Sequence, residues 1–75
     1  MNKEDLDKEL LAAHEANDIS TLSRLYGDAA DWAEAAGDIR AASFYLTHAY
    51  VFALQKGLAS AQDLHSRLKA MGREE

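Results

Sequence analysis

The chain has 75 residues, a formal net charge of −5, no cysteine and no proline. This length allows one small domain, and the missing cysteines exclude disulfide bonds and thiolate metal ligands. The negative charge disfavours binding to nucleic-acid phosphates, and no apolar segment is long enough to cross a membrane. We therefore expect a single domain over residues 1–75 that binds neither nucleic acid nor membranes.

The composition favours helices, because alanine, leucine, glutamate and lysine are common and the strongest helix breaker is absent. The first residues, MNKEDLDKEL, are charged where a secretory signal would be apolar. The charge is uneven, since residues 1–38 carry ten acidic and three basic side chains and residues 39–75 carry three acidic and five basic ones. We predict a cytoplasmic, acidic, all-α protein.

The first predicted helix runs from about Glu4 to Ala16. Leu6, Leu10 and Ala13 recur at steps of three and four residues, which is the spacing of one buried helix face. This segment should therefore pack on a neighbouring helix along a single apolar stripe.

The second predicted helix runs from Ile19 to Ala36 and also carries one apolar stripe. Gly27 lies inside it, and a glycine in the middle of a helix costs about 1 kcal/mol relative to alanine. We expect another backbone to pack closely against Gly27. Trp32 falls outside the stripe and should be half exposed. The stripe comprises Ile19, Leu22, Leu25, Tyr26, Ala29, Ala30, Ala33 and Ala36.

Two similar tripeptides, AND and AGD, separate the first three helices. Asn17 and Gly37 tolerate the left-handed backbone conformation that ends many helices. Asp18 and Asp38 follow them and can cap the next helix by accepting hydrogen bonds from its free backbone amides. Gly57 should end the third helix through the same left-handed conformation.

The third predicted helix, from Ile39 to Lys56, is apolar on two sides. A helix that is apolar nearly all round is normally buried nearly all round. One side should face the protein core and holds Ile39, Ala42, Leu46, Ala49, Tyr50 and Ala53. The other side, which we call the aromatic face, holds Phe44, Tyr45, His48, Val51 and Phe52.

The fourth predicted helix starts at Leu58 or after Ser60, and it ends at Gly72. Ser60 and Asp63 have the spacing of a capping box at the start of a helix. Its core side holds Ala61, Leu64, Leu68 and Met71. Its solvated side holds Gln62, Arg67, Lys69 and Arg73.

Small and large residues follow one another across the second and third helices in the order Tyr26, Ala29, Ala30, Ala33, Gly37, Ile39, Ala42, Leu46 and Ala49. This order resembles the tetratricopeptide repeat, in which small residues let the two helices of a hairpin pack closely. The resemblance covers residues 23–56, about one repeat. It implies four helices in antiparallel hairpins that form a right-handed stack. It also implies a protein-interaction scaffold without catalytic residues or cofactors.

Stacked repeats share their core with their neighbours, and about three repeats are usually needed for stability. This chain supplies fewer, so a further surface should complete its core. We predict that the aromatic face, with Trp32 beside it, forms the interface of a homodimer. In the alternative, the first helix folds back over the aromatic face and closes a four-helix bundle.

An acidic ridge on the second helix suggests a different partner. Asp28, Asp31 and Glu34 recur at steps of three residues and so lie near one another on the helix surface. In this alternative the chain is a scaffold that binds a basic peptide through these three carboxylates. The other interpretation of such a ridge is a solvated helix surface.

A third alternative is a metal-dependent or small-ligand enzyme built in a helical bundle. The segment HEAND places His14 and Asp18 near the spacing of the zinc motif H-E-x-x-H, but a metal site needs at least three protein ligands. His48 could be a proton-transfer group or simply an interface histidine. His65 and Ser66 point apart because they are adjacent in a helix. We expect no catalytic residue, metal or cofactor.

Overall fold

A computed structural model describes residues 3–72 of the chain, which form four α-helices joined by short turns. The predicted all-α fold is confirmed, and the predicted bounds of the first three helices agree to within one residue. The helices are α1 (Lys3–Ala16), α2 (Ile19–Ala35), α3 (Ile39–Lys56) and α4 (Ser60–Ala70). Arg73, which we assigned to the solvated side of the fourth helix, lies outside the described residues.

Each helix packs against its neighbours along the chain: α1 on α2, α2 on α3, and α3 on α4. Because the turns between them are short, this packing is consistent with antiparallel hairpins. The Cα atoms span 32 × 29 × 14 Å, so the described residues form a slab about two helices thick. A closed four-helix bundle would instead have two similar short dimensions. The right-handed stack implied by the tetratricopeptide resemblance stays a prediction.

The turns after α1 and α2 have the same backbone structure. Asn17 has a φ of 55° and Gly37 a φ of 80°, which places both in the left-handed region. The amide of the next aspartate then donates to a carbonyl in the last helical turn, Asp18 to Ala13 and Asp38 to Ala33, each at 2.9 Å. These bonds satisfy carbonyls that the end of a helix leaves free. The predicted helix ends are confirmed.

The two aspartates then cap the helices that follow them. Asp18 accepts hydrogen bonds from the backbone amide of Thr21 at 3.3 Å and from its hydroxyl at 2.6 Å. Asp38 accepts a hydrogen bond from the amide of Ala41 at 3.0 Å. Both predicted caps are confirmed.

The turn after α3 begins in the same way and continues differently. Gly57 has a φ of 64°, and the amide of Leu58 donates to the carbonyl of Ala53 at 2.8 Å. No side chain caps α4, however, and Ser60 is already its first helical residue. The predicted capping box of Ser60 and Asp63 is therefore wrong. The chain enters α4 through a backbone turn, in which the amide of residue 61 donates to the carbonyl of Leu58 at 3.1 Å.

Two apolar clusters form the core, and two tyrosines contact both. Tyr26 of α2 and Tyr45 of α3 pack against each cluster and connect them. The cluster between α1 and α2 buries Leu6, Ala13, Leu22, Leu25 and Ala29. The cluster among α2, α3 and α4 buries Ala30, Leu46, Ala49, Ala53, Leu64 and Leu68.

Two residues of the predicted core faces lie outside the core. Ile39 is 52% exposed, because it is the first residue of α3 and extends beyond the packed part of the helix. Ala36 is exposed because α2 ends one residue earlier. Both assignments were wrong because periodicity identifies a helix face but not where the packed part of that face begins and ends.

A buried hydroxyl joins α2 to α3. The Ser23 hydroxyl donates to the backbone carbonyl of Ala49 at 2.8 Å, and Ser23 is almost completely buried. A short side chain can reach the backbone of a neighbouring helix only where the two helices are close. The contact is therefore a direct sign of the close approach that the alanines permit.

Gly27 does not lie against another backbone, so the explanation that we gave for it was wrong. A Cβ atom added at Gly27 would have no atom of a packing neighbour within 4 Å. The residue instead borders an open groove between α2 and the start of α4. The groove is lined by Ser20, Ser23, Arg24, Gly27, Leu58, Ser60 and Leu64.

We expect Gly27→Ala to stabilise the protein by about 0.5–1 kcal/mol, because alanine loses less backbone entropy in a helix and fits the open space. Gly57→Ala is the matched control. It should destabilise the fold by about 1 kcal/mol, because it forces alanine into the left-handed conformation. Urea unfolding followed by circular dichroism, at one fixed protein concentration, measures both. A destabilised Gly27→Ala variant would contradict the open space at this position.

Because of the Asp18 cap, the free energy of unfolding should fall at low pH. The hydrogen bond from the Thr21 hydroxyl, and then that from its amide, lower the pKa of Asp18 below 3.8. The folded pKa is thus below the unfolded one, so this stabilisation is present above the unfolded pKa and disappears as the pH falls through the folded pKa.

We expect Asp18→Asn, which keeps an acceptor oxygen but does not titrate, to lose less stability than the wild type between about pH 5 and pH 2. Thermal unfolding at a series of pH values tests this, with Asp63→Asn as a control at an acid that caps no helix. Equal acid dependence in Asp18→Asn and the wild type would contradict the role of the ionised cap.

Candidate interaction surface

Six aromatic rings from three helices form one connected group, which we call the ring cluster. Tyr26 is its centre, with ring centroids 5.1 Å from His48, 5.8 Å from Phe52, and 6.2 Å from both Tyr45 and His14. The cluster comprises His14 of α1, Tyr26 of α2, and Phe44, Tyr45, His48 and Phe52 of α3.

Helical spacing places these side chains together on α3. Tyr45, His48 and Phe52 follow one another at three and four residues, so they share one flank of the helix. That flank lies beside Tyr26, and all three side chains are half-buried. Phe44 immediately precedes Tyr45, so it lies about 100° round the helix from that residue and extends the ring cluster outward to solvent. Four of the five predicted residues of the aromatic face therefore contact one another or Tyr26 as rings.

The inner end of the ring cluster is held in place by packing and by one hydrogen bond. The Phe52 ring stacks on Tyr26 with an angle of 22° between the ring planes. His14 Nε2 and Tyr26 Oη form a hydrogen bond of 3.2 Å. Burial, and to a lesser degree the nearby Tyr45, raises the pKa of Tyr26 above 10.0. Tyr26 thus remains a neutral hydroxyl at physiological pH and can pair with histidine.

The outer end of the ring cluster is open to solvent. Phe44 is 58% exposed and Val51 is 43% exposed, although both are large apolar side chains. Phe44 is nevertheless positioned by its neighbours, because its ring meets His48 edge-on at 4.5 Å and Tyr45 at 5.6 Å. The result is an apolar surface whose orientation is fixed by neighbouring rings and about half of which is left in water.

Helix α1 covers only part of the aromatic face. His14 contacts the Phe52 ring at a centroid distance of 6.3 Å. Leu10, also on α1, packs on the core cluster between α1 and α2. The main packing of α1 is on α2, and within residues 3–72 its backbone does not pack on α3. In this arrangement α1 shields the Phe52 end and leaves Phe44 and Val51 uncovered.

Trp32 lies on α2 and is 47% exposed, as the sequence predicted. Its indole is not among the ring contacts of the described residues. Its proximity to the aromatic face therefore stays a prediction.

Sequence reasoning also missed His14 and Tyr26 as partners of the aromatic face, because a ring contact between different helices leaves no signal in the spacing along one helix.

The acidic ridge is already paired with arginine. Arg67 of α4 donates from Nη2 to Asp31 and to Glu34, both at 2.7 Å. Asp28 pairs with Arg24 at 3.3 Å one turn away. Arg67 is therefore not simply solvated, and that expectation was wrong: its side chain is 35% exposed and connects α4 to α2. A basic peptide would have to compete with this arginine.

Burial tends to lower the pKa of Arg67, but its hydrogen bonds to Glu34 and Asp31 outweigh burial and raise that pKa. The guanidinium is thus charged at physiological pH. The Arg67 pairs join residues 36 and 33 positions apart in the sequence, whereas the pair of Arg24 and Asp28 lies within one helical turn.

The residues of the zinc-like segment have other contacts. His14 is bonded to Tyr26, and Asp18 caps α2. Within the part of the chain that the structure describes, no group of three or more His, Asp or Glu side chains could hold a metal ion. None of the described helices combines the length and the apolar character that a membrane span requires.

Comparisons with known proteins give no relative. The sequence matches no protein-family model, and neither a curated protein nor a solved structure is significantly similar to it. Any functional inference therefore depends on the residues and contacts of this chain.

Replacing Arg67 should weaken the attachment of α4 to α2. We expect Arg67→Gln to destabilise the fold by about 0.5–1 kcal/mol in dilute buffer, and by less in high salt, because this partly exposed pair is screened. Lys69→Gln, which removes a positive charge from an exposed position of the same helix, should have a smaller effect. Urea unfolding at low and high salt distinguishes them. Equal losses for the two variants would contradict a specific link.

Proposed function

We propose that this chain is a small, non-catalytic protein–protein interaction module that forms a homodimer through its aromatic face. The observation that carries this proposal is the exposure of Phe44, 58% of whose surface remains in water at the edge of a packed ring cluster. Large apolar side chains grouped on one exposed surface are typical of interaction sites. A tetratricopeptide-like scaffold with such a surface would act by association.

The exposed apolar side chains supply only part of the binding free energy that a dimer needs. Fully burying a side chain such as Phe or Val is worth about 1.5–3 kcal/mol, and only the exposed fraction of Phe44 and Val51 remains to be gained. Two copies contribute this gain twice, against an association cost of at least about 4 kcal/mol. Because Phe44 is already held by Tyr45 and His48, little further side-chain entropy is lost on binding. These two side chains alone would leave a net gain of about 2 kcal/mol or less, so a dimer that is stable at micromolar concentration must bury further surface around them.

The small size of the chain also favours a partner. Cores of this size are marginal without disulfides or metals, and this chain has no cysteine. Association would bury more apolar surface and raise the stability of each copy. The lack of cysteine and the charged surface fit our proposal of a cytoplasmic location.

The basic-peptide scaffold and the enzyme are weaker candidates. Arg67 already bonds two of the three carboxylates of the acidic ridge, so a peptide would gain only by replacing an equivalent contact. For an enzyme, the described residues offer three histidines, each of which packs on a tyrosine ring: His14 and His48 on Tyr26, and His65 on Tyr50. Neither alternative is favoured by an observation of its own.

The proposal predicts that Phe44→Asp dissociates the dimer. Placing a carboxylate in an apolar interface should raise the dissociation constant about tenfold or more. Phe44 is the better site for this test than Phe52, because Phe52 stacks on Tyr26 and its replacement would disturb the fold. Light scattering and sedimentation over a range of concentrations give the mass of each variant.

Ile39→Asp is the matched control, since Ile39 lies on the same helix, is 52% exposed and is outside the aromatic face. It should dimerise like the wild type, and circular dichroism should show that both variants remain helical. A wild-type chain that stays monomeric throughout the micromolar range would refute the proposed function. Equal weakening by both substitutions would place the interface elsewhere.

A further inference from the structure

Helix α1 is attached to the rest of the protein by few buried groups. Among residues 4–16, Leu6 and Ala13 are buried, Leu10 is half-buried and the remaining side chains are exposed. Helices α2 and α3 instead share the buried alanine contact and the Ser23 hydrogen bond. Because local stability follows the apolar surface that a segment buries, α1 should open more easily than the pair of α2 and α3.

Helix α1 also differs from the other terminal helix in the number of its attachments. Within the described residues, α1 packs its backbone on α2 alone, and His14 adds a hydrogen bond to Tyr26 and a ring contact with Phe52. Helix α4 buries two leucines in the core cluster among α2, α3 and α4, and Arg67 bonds it to α2. Helix α4 is therefore held by two helices, whereas α1 is held mainly by one.

A released α1 would not persist as a helix. It has 14 residues, and an isolated helix of about this length is marginal in water. Its release therefore returns conformational entropy to the chain, which offsets part of the lost contacts. Charge acts in the same direction, because α1 carries five acidic and two basic side chains and α2 carries three acidic and one basic. Net charges of the same sign oppose the pairing of the two helices.

We propose that α1 is a detachable cover, which leaves α2 and unfolds while α2, α3 and α4 remain packed, and whose release enlarges the apolar surface that begins at Phe44. The detachment does not depend on the proposed function. Its consequence rests on that function, and adds a way in which the same surface is regulated.

The side chains that α1 covers lie beside the ring cluster. They are Leu22, Leu25 and Ala29, which are buried with residues of α1 in one core cluster. Phe52 packs on that core cluster and belongs to the same ring cluster as Phe44. Release of α1 would therefore join the covered apolar residues to the exposed end of the aromatic face. The open form then offers the further surface that Phe44 and Val51 alone do not supply.

The fraction of open chains would control how tightly two copies associate. When only a minor form of a protein can bind, the measured affinity is lower than that of the minor form by the fraction populated. A substitution that loosens α1 without touching the aromatic face should therefore strengthen association. This is the opposite of what an ordinary destabilising substitution does to a dimer.

Amide hydrogen exchange of the full-length protein tests the detachment. The measurement is made at a concentration where the chain is monomeric, and it compares residues 8–16 of α1, whose amides can bond within the helix, with the slowest amides of α2 and α3. We expect the amides of α1 to exchange at least about tenfold faster.

Ser23→Ala distinguishes detachment of α1 from unfolding of the whole chain. It removes the hydrogen bond to the Ala49 carbonyl, which is present whether α1 is attached or released. The slowest amides of α2 and α3 should exchange about two- to tenfold faster in this variant, because global unfolding becomes easier. The amides of α1 should change by less than about twofold, since the closed and open forms lose the same bond.

Leu10→Ala tests the consequence for association, with Leu11→Ala as the matched control on the same helix. Leu10 packs on the core cluster between α1 and α2, whereas Leu11 is 61% exposed. Leu10→Ala should speed exchange in α1 about threefold or more and lower the dissociation constant by the same factor. Leu11→Ala should change neither by more than about twofold. Sedimentation over a range of concentrations measures association, and circular dichroism verifies that both variants remain helical.

The outcomes separate the cover from the proposed function. Exchange in α1 as slow as in α2 and α3, or equal acceleration of all three helices by Ser23→Ala, would overturn the detachment. Faster exchange of α1 in Leu10→Ala, with unchanged or weaker association, would overturn the cover and leave self-association intact. If neither the wild type nor Leu10→Ala associates, the proposed function and the regulation of its surface are both refuted, whereas detachment is decided by exchange alone.

Discussion

The close approach of α2 and α3 determines where the large side chains of this protein can go. Alanines at both helix surfaces, including Ala30 and Ala49, are completely buried where the helices meet. With no bulk between them, the backbones come close enough for Ser23 to bond a carbonyl of the opposite helix. Interiors pack to a high and nearly constant density, so the aromatic residues that do not fit between these helices must lie along their flanks.

The flank of this pair explains the aromatic face. Tyr26 and Tyr45 lie at the edge of the alanine contact and connect both core clusters, and Phe52 stacks on Tyr26. Helix α1 covers one end of this row of rings through His14, whereas the Phe44 end has no cover from the described residues. The exposed aromatic surface therefore follows from the way in which the core is built. A second copy that covers Phe44 would extend that core across the interface.

Sequence patterns predicted local features better than contacts between helices. The caps of Asp18 and Asp38 and the left-handed Asn17 were predictable because their hydrogen bonds span three to five residues. The pairing of Arg67 with the acidic ridge was not, because its partners are more than thirty residues away. The open space at Gly27 was missed for the same reason, since helical spacing says nothing about where α4 begins. The aromatic face was recognised as a surface, but its inner partners on α1 and α2 were not.

The two repeated turns restrict how the chain can change in length. The connections between helices are Asn17 with Asp18, and Ala36 with Gly37 and Asp38, and every one of these residues is engaged in a cap or a backbone bond. One residue inserted into α2 would rotate everything after it by about 100° and move the alanines away from α3. With no slack loop to absorb such a shift, point substitutions are the accessible route of variation between α1 and α3, and insertions or deletions there should be rare.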